Sequence, residues 1–149
     1  VRKRVEDANI QFFDARLISG WEHLYFAALN ALNAFKNKIN ISNSLAVEAL
    51  LFASAQRQIR KAVEMLGIKP ESSQVAVLIM AETQQKTTTT LETIFKIISG
   101  EHDDSVLELA NEKLEGIKKL FDVSDVELEA SSCLVDLVIE HMALLTTQR

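Results

Sequence analysis

The sequence predicts an α+β fold: a single, mostly helical domain over residues 1–149, packed on a small sheet of three or four strands. Three observations carry that expectation. Apolar residues recur at helical spacing through most of the chain, three short runs rich in β-branched or apolar residues interrupt them, and no strand–helix–strand rhythm or long-period repeat is present. With 149 residues, 48% of them apolar and 25% charged, the chain is long enough to close one core.

Residues 9 to 14, Asn-Ile-Gln-Phe-Phe-Asp, read as a strand. Ser19 then opens a helix, with Glu22 at capping-box spacing and Trp21, Leu24, Ala28, Ala31, Leu32 and Phe35 on one apolar face. A polar linker from Lys36 to Ile41 leads to a second helix, for which Asn43 or Ser44 serves as N-cap. That helix is expected to continue to about Leu66, where Gly67 supplies a left-handed stop and Pro70 prevents resumption.

The unbroken apolar run at residues 75 to 81 suits a central strand covered on both faces. A third helix must pass Thr87 to Thr90, which are poor helix formers and equally compatible with an extended connection, before Leu91, Ile94, Phe95 and Ile98 restore the period and Ser99-Gly100 closes it. Val106 to Leu109 reads as a short strand. Asn111 caps a helix with Leu114, Ile117, Leu120 and Phe121 inward, at a cost of about 1 kcal/mol for the interior Gly116 relative to Ala. Ser124 and Glu127 repeat the capping-box spacing, and the last helix, broken near Ser131-Ser132, ends at about Thr146.

Sixteen basic residues against twenty-one acidic leave a net charge of −5, which excludes a grip on nucleic acid by overall charge, so any such contact must be local. The lone Cys133 cannot form an intramolecular disulfide and suits a small buried hydrophobe in a reducing compartment. No apolar run approaches the roughly 18 residues of a membrane span. A soluble, cytoplasmic protein with no membrane association is expected.

The stretch "ASAQRQIRK" at residues 53 to 61 is an unusual segment for an amphipathic helix. In an unbroken second helix, Gln58 falls among Val47, Leu51, Ala55, Ile59, Ala62 and Leu66, and a buried amide left unpaired costs roughly 1–3 kcal/mol. Arg57 lies above the small residues Ala53 and Ser54. Either the two side chains tie a neighbouring loop to the helix, or they form a docking site for a phosphate or a stacked base, with Lys36, Lys38, Arg60 and Lys61 enlarging the positive field. Glu48 on the same helix is placed to orient an Arg or to accept from a base or ribose.

His23 reads as structural, and His102, Asp103 and Asp104 as an ordinary turn whose three consecutive residues cannot face one ion, so no metal and no cofactor is assigned. The helix around His141 is apolar on more than one stripe, which makes it either a central core helix or, in part, a partner surface to which Met142 is suited. No phosphate loop, nucleophile elbow or kinase signature is present. The positive features are adhesive, and no catalytic residue is assigned.

Several of these segments together resemble the small kinase-binding subunit of the KEOPS complex, the TPRKB-type family of archaea and eukaryotes. They are "FDA" at Phe13 to Ala15, "EHL" at Glu22 to Leu24, "ISNSLAVEALLFASAQRQI" at Ile41 to Ile59, "GIK" at Gly67 to Lys69 and "GEHDDSVLE" at Gly100 to Glu108. One departure is Ala55, where the family pattern implies Gly. The resemblance implies a non-catalytic subunit that binds the atypical kinase/ATPase of the complex, supports its activity and helps recruit tRNA by its 3′ CCA end, in a complex that makes N6-threonylcarbamoyladenosine. On that reading Lys38, Asn43, Ser44, Arg57, Gln58, Arg60 and Lys61 form or support the tRNA-tail site, and Val138, Met142 and Leu145 join the kinase contact. The alternatives are a helical adaptor without RNA binding and a small hydrolase using His23 or His102.

Overall fold

The computed structural model describes residues 8–98, 100, 101, 103–131 and 133–147. Strand β1 (Ala8–Asp14) pairs antiparallel with β2 (Val75–Ala81), Ala8 opposite Ala81 and Asp14 opposite Val75. Among the described residues the sheet has these two strands, fewer than the three or four expected. The segment anticipated as a further strand is instead a 3-10 turn, Asp104–Leu107, because the Asp103 carboxylate accepts from both the backbone N–H and the hydroxyl of Ser105 and curls the chain. Nor is β2 covered on both faces: Ala76 and Met80 are buried whereas Val75 is exposed.

Helix α1 (Trp21–Lys36) begins at Gly20, whose φ of +156° is glycine territory, rather than at Ser19. The expected capping box does not form. The Ser19 backbone N–H donates instead to the His23 ring, and the Glu22 carboxylate sits where a Cβ on Gly20 would meet it at 2.9 Å. The buried face is also rotated from the expected one. His23, Leu24, Ala27, Ala31 and Ala34 point inward, while Trp21 and Leu32 face solvent. The small residues win the interior because helix α2 (Leu45–Ser54) packs there with its own Ala46, Ala49 and Ala53 buried, and alanine on alanine permits close helix approach.

The second predicted helix is two helices. After α2 the chain turns at Ala55 and starts again as α3 (Ile59–Leu66). Gly67 does end α3, but with extended backbone (φ −66°) rather than left-handed; glycine is needed because a Cβ there would lie 2.5 Å from the Val63 carbonyl oxygen. Helix α4 (Gln84–Ile97) runs straight through Thr87 to Thr90. Its threonines bond back to the preceding turn, Thr87 to the Thr83 carbonyl at 3.2 Å and Thr90 to that of Lys86 at 2.7 Å, so their hydroxyls are satisfied inside the helix without an extended backbone.

Helix α5 (Asn111–Leu120) starts without a side-chain cap, Asn111 being its first residue rather than its cap. Helix α6 (Asp125–Ser131) opens on the predicted capping box, in which Ser124 Oγ accepts from the Glu127 N–H at 3.1 Å. Helix α7 (Leu134–Ala143) follows the expected break, and a 3-10 turn, Leu144–Thr147, ends the described chain. One core cluster joins β1, α1, α2 and the end of α7 around Phe13, Ile18, Leu51, Phe52, Met142 and Leu145. A smaller one gathers α5 and α7 around Ile117, Phe121, Leu134 and Val138.

Helices α1, α2 and α5 share one way of ending. Each is closed by a non-glycine residue in the left-handed region, Lys38 (φ 58°), Ala55 (φ 54°) and Asp122 (φ 53°). In each, the next N–H reaches back five residues, Ile39 to Ala34, Gln56 to Leu51 and Val123 to Lys118, which absorbs carbonyls that a helix end otherwise leaves bare.

Candidate nucleic-acid and partner surfaces

The break between α2 and α3 is built from the carbonyls at the end of α2. Were the helix to continue, the Ala53 carbonyl would accept from the Arg57 N–H. It accepts instead from Nε2 of His23 at 2.8 Å, while the Ser54 hydroxyl donates to the carbonyls of Leu50 and Leu51 at 2.9 and 3.1 Å. With the Ala53 carbonyl taken by His23 and Ala55 left-handed, the chain leaves the helix axis. Gln58 is extended, and its carbonyl accepts the first α3 bond from Ala62 at 3.0 Å.

This geometry corrects the face assigned to Gln58. It is not a buried amide among Val47, Leu51 and Leu66: the register of an unbroken helix is lost at Ala55, and Gln58 is exposed with no side-chain cap bond. Arg57, Arg60 and Lys61 are exposed beside it, and Arg60 pairs with Glu64 at 3.4 Å across one turn of α3. Four hydrogen-bond donors, three of them cationic, therefore stand within five consecutive residues on a short shoulder of the fold.

Lys38, Asn43 and Ser44 belong elsewhere. Lys38 closes α1, Asn43 is exposed in the α1–α2 loop, and Ser44 is the α2 N-cap, its hydroxyl accepting from Val47 N–H at 3.3 Å. Ten residues of α2 rise about 15 Å, so this group and the Arg57 group flank opposite ends of one helix rather than lining a single cleft. Glu48 is available to neither. It is sealed from solvent, and its carboxylate accepts from Ile41 N–H at 2.9 Å and Ser42 N–H at 2.8 Å, which pins the α1–α2 loop.

His23 is the residue whose role the sequence conceals. Its ring is fully buried against Phe121, and both nitrogens are engaged by backbone, Nδ1 accepting from Ser19 and Nε2 donating to Ala53. Burial lowers its pKa to about 4, the Ala53 bond opposing that shift and nearby Lys113 adding to it, so the ring is neutral. A sealed, neutral, fully bonded imidazole is unsuited to the hydrolase reading, which for His23 is set aside. His102 lies outside the described residues. Among the described residues no three His, Cys, Asp or Glu side chains gather as a metal site.

Lys113 provides a comparable tie on α5. Its ammonium group is almost buried and donates to the carbonyls of Ile18, at 3.1 Å, and Val106, and burial lowers its pKa although Glu112 and Glu108 act in the opposite direction. Asp14 at the end of β1 is buried too. Burial alone raises its pKa, but bonds from Arg16 and Ser72 outweigh that and hold the carboxyl below its ordinary value. All three groups organise backbone rather than face a ligand.

Val138, Met142 and Leu145, expected at a partner surface, are completely buried. The apolar excess of α7 is absorbed because the helix is wedged between the two core clusters, with Met142 and Leu145 in one and Val138 in the other. Exposed large apolar side chains are found instead along the outer face of α1, and in smaller groups on α3 and at the end of α4. No helix of the described residues is long and apolar enough to cross a membrane.

Comparison with known proteins bears on these surfaces. Residues 1–146 match the family model described as kinase binding protein CGI-121. The chain is also similar to the regulatory protein Cgi121 of Methanocaldococcus jannaschii, 30% identical over 141 residues that cover 95% of this chain and 86% of that protein.

Proposed function

Because the chain belongs to the CGI-121 family of kinase-binding proteins, we propose that it acts as the non-catalytic, kinase-binding regulatory subunit of a KEOPS-type tRNA-modification complex in the cytoplasm, and helps present tRNA to that complex by its 3′ CCA end. The observation that supports the RNA part is the outward-facing donor shoulder. Arg57, Gln58, Arg60 and Lys61 project from a helix break that buried groups maintain, and in a net acidic protein they bring three cations and an amide within five residues to meet a phosphate backbone locally. A single-stranded tail suits such a surface, since few phosphates need neutralising and base contacts supply the remainder. Lys38 and Asn43, at the far end of α2, are positioned to meet a different stretch of the same RNA. Ser44, engaged as a helix cap, acts there through loop geometry.

The test compares Arg57→Ala with the unaltered chain, each assembled with its kinase, on full-length tRNA and on tRNA lacking the CCA end. Loss of affinity confined to the full-length tRNA, with the salt dependence of binding reduced by about one unit of slope, is the expected result. Equal losses on both RNAs refute recognition of the tail. Absence of tRNA binding by the assembled complex favours an adaptor without an RNA role.

A further inference from the structure

Helix α1 is apolar on both sides. Its inner face is the Ala-rich seam against α2, whereas its outer face carries Trp21 at 62% exposure, Tyr25 at 53%, Leu29 at 39% and Leu32 at 47%. At 100° per residue these four fall within about 80° of one another, and they extend along about 16 Å of helix. The solvent face of a helix is ordinarily its polar face, and a helix apolar all round is one that is covered on all sides.

Applied to side chains of about 150–250 Å², the exposed fractions leave roughly 400 Å² of contiguous apolar surface, about half of what one partner contributes to a standard interface. Trp21 and Tyr25 meet edge to face at 5.9 Å, and Tyr25 meets Phe26 in the same way at 5.3 Å. The aromatic end of the stripe is thus held in place before any partner arrives, as suits an anchor whose ordering cost is already met. Other exposed apolar groups, such as Ile59 and Val63 on α3 or Phe95 at the end of α4, are shorter runs with at most one aromatic ring.

We propose that Trp21, Tyr25, Leu29 and Leu32 on the outer face of α1 form the surface that docks the partner kinase, an inference that rests on the kinase-binding reading above. The occupant is a protein with an apolar ridge of matching length, because the stripe itself is uncharged and the polar residues beside it, Glu22, Asn33 and Lys36, carry no net positive charge with which to draw a phosphate backbone. A second copy of this chain is the poorer occupant, since each copy brings a net charge of −5 to the contact. The assignment also supplies the apolar contact surface that the buried Val138, Met142 and Leu145 cannot provide.

The experiment titrates the full chain into purified partner kinase by calorimetry, with Tyr25→Glu and Leu32→Glu as single variants and Leu32→Gln as a milder one. Each Glu variant is expected to weaken binding at least 100-fold while the thermal transition stays within a few degrees of the unaltered protein, since the substituted side chains are already half in solvent. If a Glu variant fails to fold, a tenfold or greater loss with folded Leu32→Gln carries the same conclusion. Unaltered affinity in folded variants of a chain that does bind the kinase overturns the docking surface and leaves the kinase-binding reading intact. No binding by the unaltered chain overturns both. Dissociation of a dimer by the variants with kinase affinity unchanged assigns the face to self-association and overturns the proposal.

Discussion

Lowering the pH should destabilise the native state through His23 before it affects the buried Asp14 carboxylate. The imidazole titrates near 6.5 in the unfolded chain and at about 4 in the native one, because protonation inside the core places a charge where there is no water and removes the acceptor that Nδ1 offers to Ser19. Between those two values the unfolded state binds more protons than the folded state, so stability rises with pH and is lost as pH falls from 6.5 towards 4. A difference of this size corresponds to about 3 kcal/mol, a substantial part of the 5–15 kcal/mol typical of a domain. Asp14 acts with the same sign in a separate window. Its native pKa is depressed, so its contribution is present above about 3.8 and disappears only below that. Urea unfolding followed by circular dichroism at half-unit steps from pH 7.5 to 4, on the unaltered chain and on His23→Gln, isolates the effect, because His102 and His141 are common to both. The variant is expected to be weaker at pH 7 but flatter across the window, so that the gap closes by about 3 kcal/mol on acidification. Parallel profiles for the two proteins would refute the buried, neutral imidazole as the origin of acid sensitivity.

Two further substitutions probe the elements that present the candidate surfaces. Ala55→Gly removes the penalty of a left-handed alanine at the end of α2 and should stabilise the chain by up to about 1 kcal/mol in the same urea assay, with no change in helix content; destabilisation would show that the methyl group packs more than its backbone strains. Glu48→Gln keeps one oxygen for the Ser42 N–H but turns an NH2 group towards the Ile41 N–H, which the carboxylate shares between its two oxygens, so that donor faces donor. It should cost about 1–3 kcal/mol and raise amide hydrogen exchange selectively at Ile41 and Ser42.

Where signals were local and side chains carried them, the sequence was informative. Both strands lie where β-branched and aromatic runs placed them, and the Ser124–Glu127 box and the interruption after Ser131 are realised. What the sequence hid depends on groups that meet only in the folded chain. Periodicity cannot tell which of two apolar stripes on α1 is buried. That choice was made by the alanines of α2, which accept Ala27, Ala31 and Ala34 but not Trp21 or Leu32. Likewise nothing in "FASAQRQI" punctuates a helix, since the residue that turns is Ala rather than Gly. Its counterpart is His23, thirty residues away in sequence, which takes the carbonyl that Arg57 needs to remain helical. An isolated histidine at helical spacing with no catalytic company was the available clue, and it identified a structural residue without revealing which carbonyl it served.

The same helix consequently governs both candidate surfaces. From its inner face α1 sends His23 into the end of α2 and so turns Arg57 and Gln58 outward, whereas its outer face offers the aromatic stripe to a partner. The two proposed functions are mechanically linked but chemically separate. Tyr25 and Leu32 contribute to neither the break nor its hydrogen bonds, while His23 has no exposed surface with which to touch a kinase. Substitutions on the outer face should therefore abolish kinase docking with the donor shoulder intact. Replacement of His23 should instead disorganise the shoulder, lowering tRNA affinity at neutral pH, and leave the outer stripe able to bind. A common loss of both activities in Tyr25→Glu would show that the shoulder needs the kinase in place to engage RNA, and would move the origin of tRNA recruitment from this chain alone to the joint surface of the two proteins.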